Sequence, residues 1–240
     1  MNDRILDTSY VGSNAALQAG LQKYFTRIYG LVALALAVSG GVAYFTAQYA
    51  IANPAVLQFL FSGFTMWVVM FLPLILVMIM NGMVQSASAG ALGMMLFLIA
   101  IAFGISDSIV FLIYPSSGIY QTFFVTAGAF AALSGYGLIT KRDLSGMGRI
   151  LFIGLVGLIL ASLGNIFFKS SGMDFAISLV GIVIFAGLIT WKTNELKVNY
   201  AYYVQAGVAD KVAVLGALSL FISFINLFWF LLRFMGGNRS

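Results

Sequence analysis

The residues most able to do chemistry are a few polar side chains set inside long apolar runs. Asp107, in "FGISDSIVF", is the one carboxylate well inside such a run. An ionised carboxylate in a bilayer costs at least about 2.5 kcal/mol on insertion scales. Asp107 should therefore face a partner, a water-filled cavity or the bundle interior, or else carry a proton. The alternative is that it lies close enough to the interface to stay hydrated.

Lys192 follows a run with no charged residue from Phe175 to Trp191. It could mark the point where a helix reaches water, with its alkyl chain extending to the interface. It could instead form a polar pair with another helix. The spacing of Ser219 and Ser223 places them on one helical face, but serine also bonds back to its own helix.

Asn165 and Asn226 are amides in the middle of apolar runs. Such side chains hydrogen-bond across helices and act as structural glue in membrane bundles. We include Asn226 and Asp107 as candidates for an ion pathway or gate, because polar side chains are rare inside the spans.

Several kinds of chemistry are excluded. The chain has no cysteine and no histidine, so it forms no disulfide and offers no thiolate or imidazole for catalysis or metal binding. It also lacks the nucleophile-elbow, zincin and P-loop motifs, and the residue sets of intramembrane proteases. We expect a protein that is not an enzyme and that needs no cofactor.

The composition defines the fold class. Hydrophobic residues make up 62% of the chain, charged residues 8%, and the mean hydropathy is +1.04. A soluble chain carries roughly 25% charged residues, whereas runs of about 20 apolar residues cross a bilayer as helices. The runs are continuous and too long for alternating barrel strands. The sequence predicts an all-α polytopic membrane protein.

Seven runs are long enough to span. They lie at about 28–50, 56–80, 87–113, 119–139, 149–168, 174–191 and 212–235. Residues 28–240 are expected to form one transmembrane domain, and the first run is expected to be an uncleaved span. Residues 1–27 are expected to be a cytoplasmic segment, with amphipathic spacing in its second half that either lies on the inner leaflet or has no role of its own.

Basic residues predict the orientation. With the N-terminus inside, nine of the twelve Lys and Arg residues lie on the inner face and three on the outer face. The outer three are Lys169, Arg233 and Arg239. If the last span re-enters, eleven lie inside, so charge leaves the side of the C-terminus open. The net charge of +5 fits anionic lipid and does not require nucleic acid.

Small residues predict helix packing. Ala127, Ala131 and Gly135 recur every four residues on the fourth span. Such a stripe lets helices approach closely, so we expect this face at the centre of the bundle. Small faces also permit a dimer without requiring one.

Three stretches carry a resemblance to a known family: "YFTRIYGLVALALAVSGGVAYF" (24–45), "FFVTAGAFAALSGYGLITKRDLSGMGRILFIGLVGLILASLGNIFF" (123–168) and "ALSLFISFINLFWFLLRFMG" (217–236). They resemble the first span, the fourth and fifth spans with their K-R-D-L-S loop, and the final helix of the transmembrane Bax inhibitor motif family, also called the Bax inhibitor-1 family.

The resemblance implies a bundle of six or seven helices with one central helix wrapped by the others. It implies a pH-sensitive calcium leak in some members and, in some bacterial members, restraint of a membrane-bound AAA protease. The leak is attributed to two aspartates, one in a Y-D-T-Q motif and one in an L-Y-L-D segment. Two carboxylates that share a proton can titrate near neutrality and hold a cation.

This chain departs from both motifs. The first aspartate's place is taken by Lys192 and the second's by Ser223. The resemblance therefore adds Lys192 and Ser223 to Asp107 and Asn226 as candidates for an ion pathway or gate. A lysine and a serine cannot form a diaspartyl sensor, and a fixed positive charge repels Ca²⁺. Three interpretations of Lys192 stay open: an interfacial lysine without function, a hydrogen bond to Ser223 that holds the last two spans closed, or a rewired conduction or substrate site.

The functional expectation is therefore a bacterial inner-membrane protein with a cytoplasmic N-terminus. We expect it to be a non-enzymatic regulator of membrane homeostasis or quality control, with the lipid bilayer and a membrane-bound AAA protease as partners. The alternative is a pH-sensitive calcium or cation leak channel that uses another route. A small-molecule transporter is a third class.

Overall fold

The computed structural model describes residues 3–142 and 144–236, with side chains from residue 15 to residue 235. Arg239, Asp143 of the K-R-D-L-S loop and the side chain of Arg4 lie outside these ranges. All the secondary-structure elements in the described residues are helices. These are α1 Asp3–Ala52, α2 Pro54–Phe61, α3 Gly63–Met83, α4 Ala89–Asp107, α5 Val110–Ile113, α6 Ser116–Ile139, α7 Ser145–Phe168, α8 Ser171–Val198, α9 Tyr200–Gln205 and α10 Ala209–Gly236.

The seven predicted spans are confirmed. Among the described residues, seven helical segments are long and apolar enough to cross a membrane. Two of the runs predicted from the sequence contain breaks that hydropathy does not reveal. The second predicted span is divided at Ser62, before Gly63 with its positive φ of 58°, and the third is interrupted after Asp107.

Local signals explain where several helices begin. Ser88 caps α4 by accepting a hydrogen bond from the Ala91 amide at 3.2 Å, and Ser170 caps α8 by accepting one from the Met173 amide at 3.3 Å. Pro54 occupies the first position of α2, where its missing N–H has no intrahelical role.

Helix α1 is continuous across residue 27. At 1.5 Å per residue its 50 residues reach about 75 Å, more than twice a bilayer core. Leu17 is 41% exposed, whereas Tyr24 and Phe25 are buried. The ring of Tyr24 lies 5.0 Å from that of Tyr200, so this part of the amphipathic segment packs on α9.

Helix α10 is the centre of the bundle. It packs against α1, α4, α6 and α8, while α3 packs on α4 and α7 on α8. Phe221, Leu220 and Leu227 of α10 are almost fully buried. The central helix wrapped by the others, expected from the resemblance, is confirmed.

The bundle has two ends, which we name for reference. The N-terminal face carries the start of α1, the ends of α3, α6 and α8, and the start of α10; the opposite face carries the end of α10. Leu196 lies against Gly216 and Gly181 against Phe230, so α8 and α10 run antiparallel along their length. Consecutive spans alternate in direction, so with seven of them the start of α1 and the end of α10 lie on opposite faces.

The predicted small-residue stripe on the fourth span is confirmed only in part. Ala127 packs against the core, but Ala131 is exposed, and Gly135 is half-buried at a place where a Cβ would meet nothing within 4 Å. The buried side of α6 instead carries Thr126, Ser134 and Gly137. Thr126 satisfies its hydroxyl by donating to the carbonyl of Thr122 at 2.7 Å, so a polar side chain can face the core there.

Candidate functional site

Lys192 lies in the last turns of α8, near the N-terminal face of the bundle, and it is half-buried. Its Nζ lies 2.7 Å from Oε2 of Glu195 and 5.7 Å from the centroid of the Trp191 ring. The side chains of Lys192 and Glu195 are 22% and 29% exposed. Partial burial reduces screening by water, so this i,i+3 pair is locally neutral and held more firmly than a fully exposed pair.

Ser223 does not meet Lys192. Its hydroxyl is buried and donates to the carbonyl of Ser219 at 2.9 Å, within its own helix. The antiparallel register of α8 and α10 also places Ser223 nearer the middle of the bundle than Lys192. Between these described side chains, the hydrogen bond considered from the sequence is not formed.

Asp107 lies where the third span breaks. Its Oδ1 accepts a hydrogen bond from Nε1 of Trp229 on α10 at 2.9 Å. Ser106 beside it donates to the carbonyl of Val69 at 2.6 Å, which ties α4 to α3. Asp107 also lines a cavity of about 440 Å³ between α1, α5, α6 and α10. It therefore faces both a partner and a cavity in the bundle.

Asn226 lies on another face of α10. Its Nδ2 donates to the carbonyl of Ile222 at 2.8 Å, so the amide bonds to its own helix. It lines a groove of about 1000 Å³ that extends from Leu74 on α3 to Leu155 on α7. The four candidate residues thus lie in four separate places, and of the four only Asp107 forms a side-chain hydrogen bond to another helix.

Two partners were missed in the sequence. Trp229 carries an N–H that needs an acceptor when it is buried among apolar groups, and Asp107 is the one carboxylate well inside a span. Glu195 stands three residues after Lys192, a spacing that brings side chains together on a helix. Both signals are present in the sequence, one as an indole donor that needs an acceptor and the other as two opposite charges at i,i+3 spacing.

Comparison with known proteins decides the family. The family described as "Inhibitor of apoptosis-promoting Bax1" matches residues 21–240. The chain belongs to the Bax inhibitor-1 family. The inner membrane protein YbhL of Escherichia coli is 38% identical over 226 residues, which cover 92% of this chain and 94% of YbhL.

Other relatives of the family are similar over comparable lengths. A protein of Caulobacter vibrioides is 42% identical over 240 residues, covering 95% of this chain and 94% of its own. The YrjE protein of Lactococcus lactis is 38% identical over 227 residues, covering 92% and 94%. The family resemblance seen in three stretches is confirmed across nearly the whole chain.

Other lysines of this family member hold helix ends together. Lys197 donates to the carbonyls of Leu138 and Thr140, at 2.6 and 3.1 Å, where α6 ends. Lys211 donates to the carbonyls of Val84 and Gln85 beyond the end of α3. The last carbonyls of a helix lack intrahelical partners and carry partial negative charge, so an ammonium stabilises them. Part of the basic excess on the N-terminal face is therefore structural.

Proposed function

We propose that this chain is a non-enzymatic regulator of membrane homeostasis or quality control in a bacterial inner membrane, acting through membrane partners such as a membrane-bound AAA protease. The similarity to YbhL, an inner membrane protein of Escherichia coli, supports this location. The proposed orientation places the N-terminal face in the cytoplasm, because Lys23, Arg27, Lys141, Arg142, Arg149, Lys192, Lys197 and Lys211 lie there.

The observation that carries the proposal is the ion pair between Lys192 and Glu195. It occupies the position at which the family resemblance implies an aspartate. An ammonium bound to a neighbouring carboxylate neither shares a proton with a second carboxylate nor attracts Ca²⁺. With Ser223 bonded within its own helix, neither position supplies the chemistry of a diaspartyl leak.

The peripheral helix α7 supports action through membrane partners. It packs on α8 and turns Phe152, Leu160 and Phe167 outward, each more than 60% exposed. In a bilayer these side chains contact lipid or another membrane protein, because no water reaches them. The flank is thus accessible to a partner's transmembrane helix.

A cation leak is the second candidate function. Asp107 favours it, because a carboxylate on an internal cavity is a typical element of an ion pathway. Such a leak would use a route separate from the family's two aspartate positions.

Calcium efflux from proteoliposomes distinguishes the two functions. We expect the native protein to be silent at pH 6 and pH 8, and the double variant Lys192→Asp, Ser223→Asp to leak in a pH-dependent manner, because it restores both carboxylates. The single variant Lys192→Met is the control for loss of the ion pair alone. If the native protein leaks calcium and Asp107→Asn abolishes that leak, the channel function would replace the regulatory function proposed here.

Co-purification tests the regulator directly. We expect a membrane-bound AAA protease to be recovered with the tagged chain after crosslinking in intact cells, and not with an equally expressed unrelated seven-helix protein. Recovery of the chain without any protease subunit, at a crosslinking yield that captures known membrane complexes, would overturn this proposal.

A further inference from the structure

The cavity beside Asp107 has aromatic walls. Its volume of about 440 Å³ lies in the range of small-molecule sites, which is about 300–1,000 Å³. Four helices and the short α5 supply the lining. Six of the rings that face it are Tyr44, Phe111, Tyr120, Phe123, Phe224 and Phe228.

Asp107 brings a carboxylate to this wall. It accepts the hydrogen bond from Trp229, and no basic side chain pairs with it among residues 15–142 and 144–235. Arg233 is the basic residue of α10 nearest to Trp229 in the sequence, and it lines the groove on another face of that helix. The ionisable groups that share the cavity with Asp107 are the phenols of Tyr44 and Tyr120.

The cavity is reached from the lipid. Tyr44 of α1 is 41% exposed, and Tyr120 and Phe124 of α6 are 50% and 73% exposed. α1 and α6 both pack on α10, and the cavity lies between them. A molecule that partitions into the bilayer can therefore enter sideways without crossing the bundle.

The chemistry of the lining selects the ligand. Calcium takes six to eight oxygen ligands and magnesium six, which one carboxylate among aromatic rings does not supply. A carboxylate and several π-faces suit an organic ammonium, whose charge is attracted to both and whose apolar body fills the remaining space. We propose that this cavity binds a lipophilic organic ammonium, with its cationic nitrogen at Asp107. The proposal is independent of the regulatory function proposed above.

Fluorescence binding provides the test. The probe is a dansyl amide that carries a trimethylammonium group on a propyl chain, added to the protein in nanodiscs of phosphatidylglycerol. Its uncharged carbon analogue, with a tert-butyl group in place of trimethylammonium, is the comparison ligand. We expect the cation to bind at least tenfold more tightly than the analogue. Equal affinity for the two ligands would overturn the proposal.

Two pairs of variants locate the site. Asp107→Asn keeps an oxygen for Trp229 and removes the charge, so we expect a tenfold or greater loss of cation affinity and no loss for the analogue. Asp174→Asn, on the rim of the other groove, is expected to change neither. An unchanged cation affinity in Asp107→Asn would refute the assignment.

Filling the cavity gives a second variant that keeps the carboxylate. Gly40 lines the cavity and a Cβ there would meet nothing within 4 Å, so Gly40→Leu should fold and block entry. Gly41→Leu is the matched control, because its Cβ is equally free and it does not line the cavity. We expect Gly40→Leu alone to abolish binding of both ligands. Equal binding by the two leucine variants would place the probe elsewhere.

The source of the ammonium is decided by the lipid. The two membranes compared are half phosphatidylglycerol, with either phosphatidylethanolamine or the uncharged lipid digalactosyldiacylglycerol as the other half, so that their surface charge is equal. If the headgroup of phosphatidylethanolamine is the ligand, the membrane that contains it should weaken probe binding through competition. If the ligand is a free lipophilic amine, the probe affinity should be the same in both membranes. Either result supports an ammonium site, provided that Asp107→Asn removes the charge preference.

Discussion

Replacing Gly137 with alanine is expected to destabilise the bundle by about 2–3 kcal/mol, because the contact between α6 and α8 is too close for a side chain. A Cβ at this position would lie 2.6 Å from the carbonyl oxygen of Thr190 and 2.9 Å from Cβ of Thr193. For a chain of this length we expect the unfolding temperature in detergent to fall by roughly 5–10 °C. Size-exclusion chromatography after heating measures it.

The loss at Gly137 should exceed a simple steric effect. Asn194 donates to the carbonyl of Gly137 at 3.2 Å, and Thr190 donates to the carbonyl of Leu133 at 3.3 Å. Both bonds cross between the helices at the point of closest approach. Pushing the helices apart lengthens both bonds together, and their weakening is part of the expected loss of about 2–3 kcal/mol. The Thr190 hydroxyl keeps its bond to the carbonyl of Ala186 at 3.2 Å, so Asn194 loses more than Thr190 does.

Gly135→Ala is the matched control on the same helix. A Cβ at Gly135 meets nothing within 4 Å, so alanine is expected to be neutral or to stabilise α6 by up to about 1 kcal/mol through helix propensity. If Gly135→Ala and Gly137→Ala lowered the unfolding temperature equally, the close contact would not be the cause.

The same two glycines show what could be predicted from the sequence. The sequence predicts Gly135 at the bundle centre because it continues the Ala127, Ala131 stripe, yet it is only half-buried and a Cβ there would meet nothing within 4 Å. In a lipid solvent a small residue is tolerated on either side of a helix, so spacing alone does not give the direction. The buried face is set by which helix packs against α6, and that is tertiary information.

The spans themselves were predictable for a different reason. Each is a long apolar run bounded by polar connectors, and a bilayer requires backbone hydrogen bonds to be satisfied within the helix. The position of α10 at the centre came from the family resemblance, because no periodic polar face distinguishes it in the sequence.

The candidate site was predicted residue by residue but not as an arrangement. Asp107 was recognised as a buried acid, whereas its partner Trp229 lies 122 positions away and can be found only from the packing of α4 on α10. The resemblance pairs Lys192 with Ser223, because these residues take the places of the family's two aspartates. The local pair with Glu195 prevails, since an i,i+3 contact needs no movement between helices.

Replacing Asn165 with leucine is the second change with a large expected effect. Its Nδ2 donates to Oδ1 of Asp174 at 3.0 Å and to the carbonyl of Ser170 at 3.3 Å, and its Oδ1 accepts from the Ser170 amide at 3.0 Å. One amide thus closes the hairpin between α7 and α8, across the left-handed residue Lys169. Leucine removes all three bonds, although the Ser170 carbonyl still accepts from the Asp174 amide at 3.0 Å, and we expect a loss of about 2–4 kcal/mol.

The effect of Asn165→Leu should be local as well as global. Helix α7 packs on α8, so its position depends on this hairpin and on the α7–α8 contact. Hydrogen exchange in detergent is expected to increase for amides near residues 165–174 before it increases in α10. Uniform acceleration throughout the bundle would contradict a role for Asn165 at the hairpin.

Asn226→Leu is the control for Asn165→Leu, because it also removes an amide from a span but does not affect the hairpin between α7 and α8. Both asparagines were predicted to be structural glue, but Asn226 donates to the carbonyl of Ile222 in its own helix. That carbonyl already accepts the backbone hydrogen bond of an α-helix. Losing the side-chain bond of Asn226 is therefore expected to change the unfolding free energy by less than about 1 kcal/mol. Equal destabilisation by the two leucine variants would show that Asn226 has a partner across the groove. A small effect at Asn226 alone would mean that an amide stabilises this bundle only where it joins two helices.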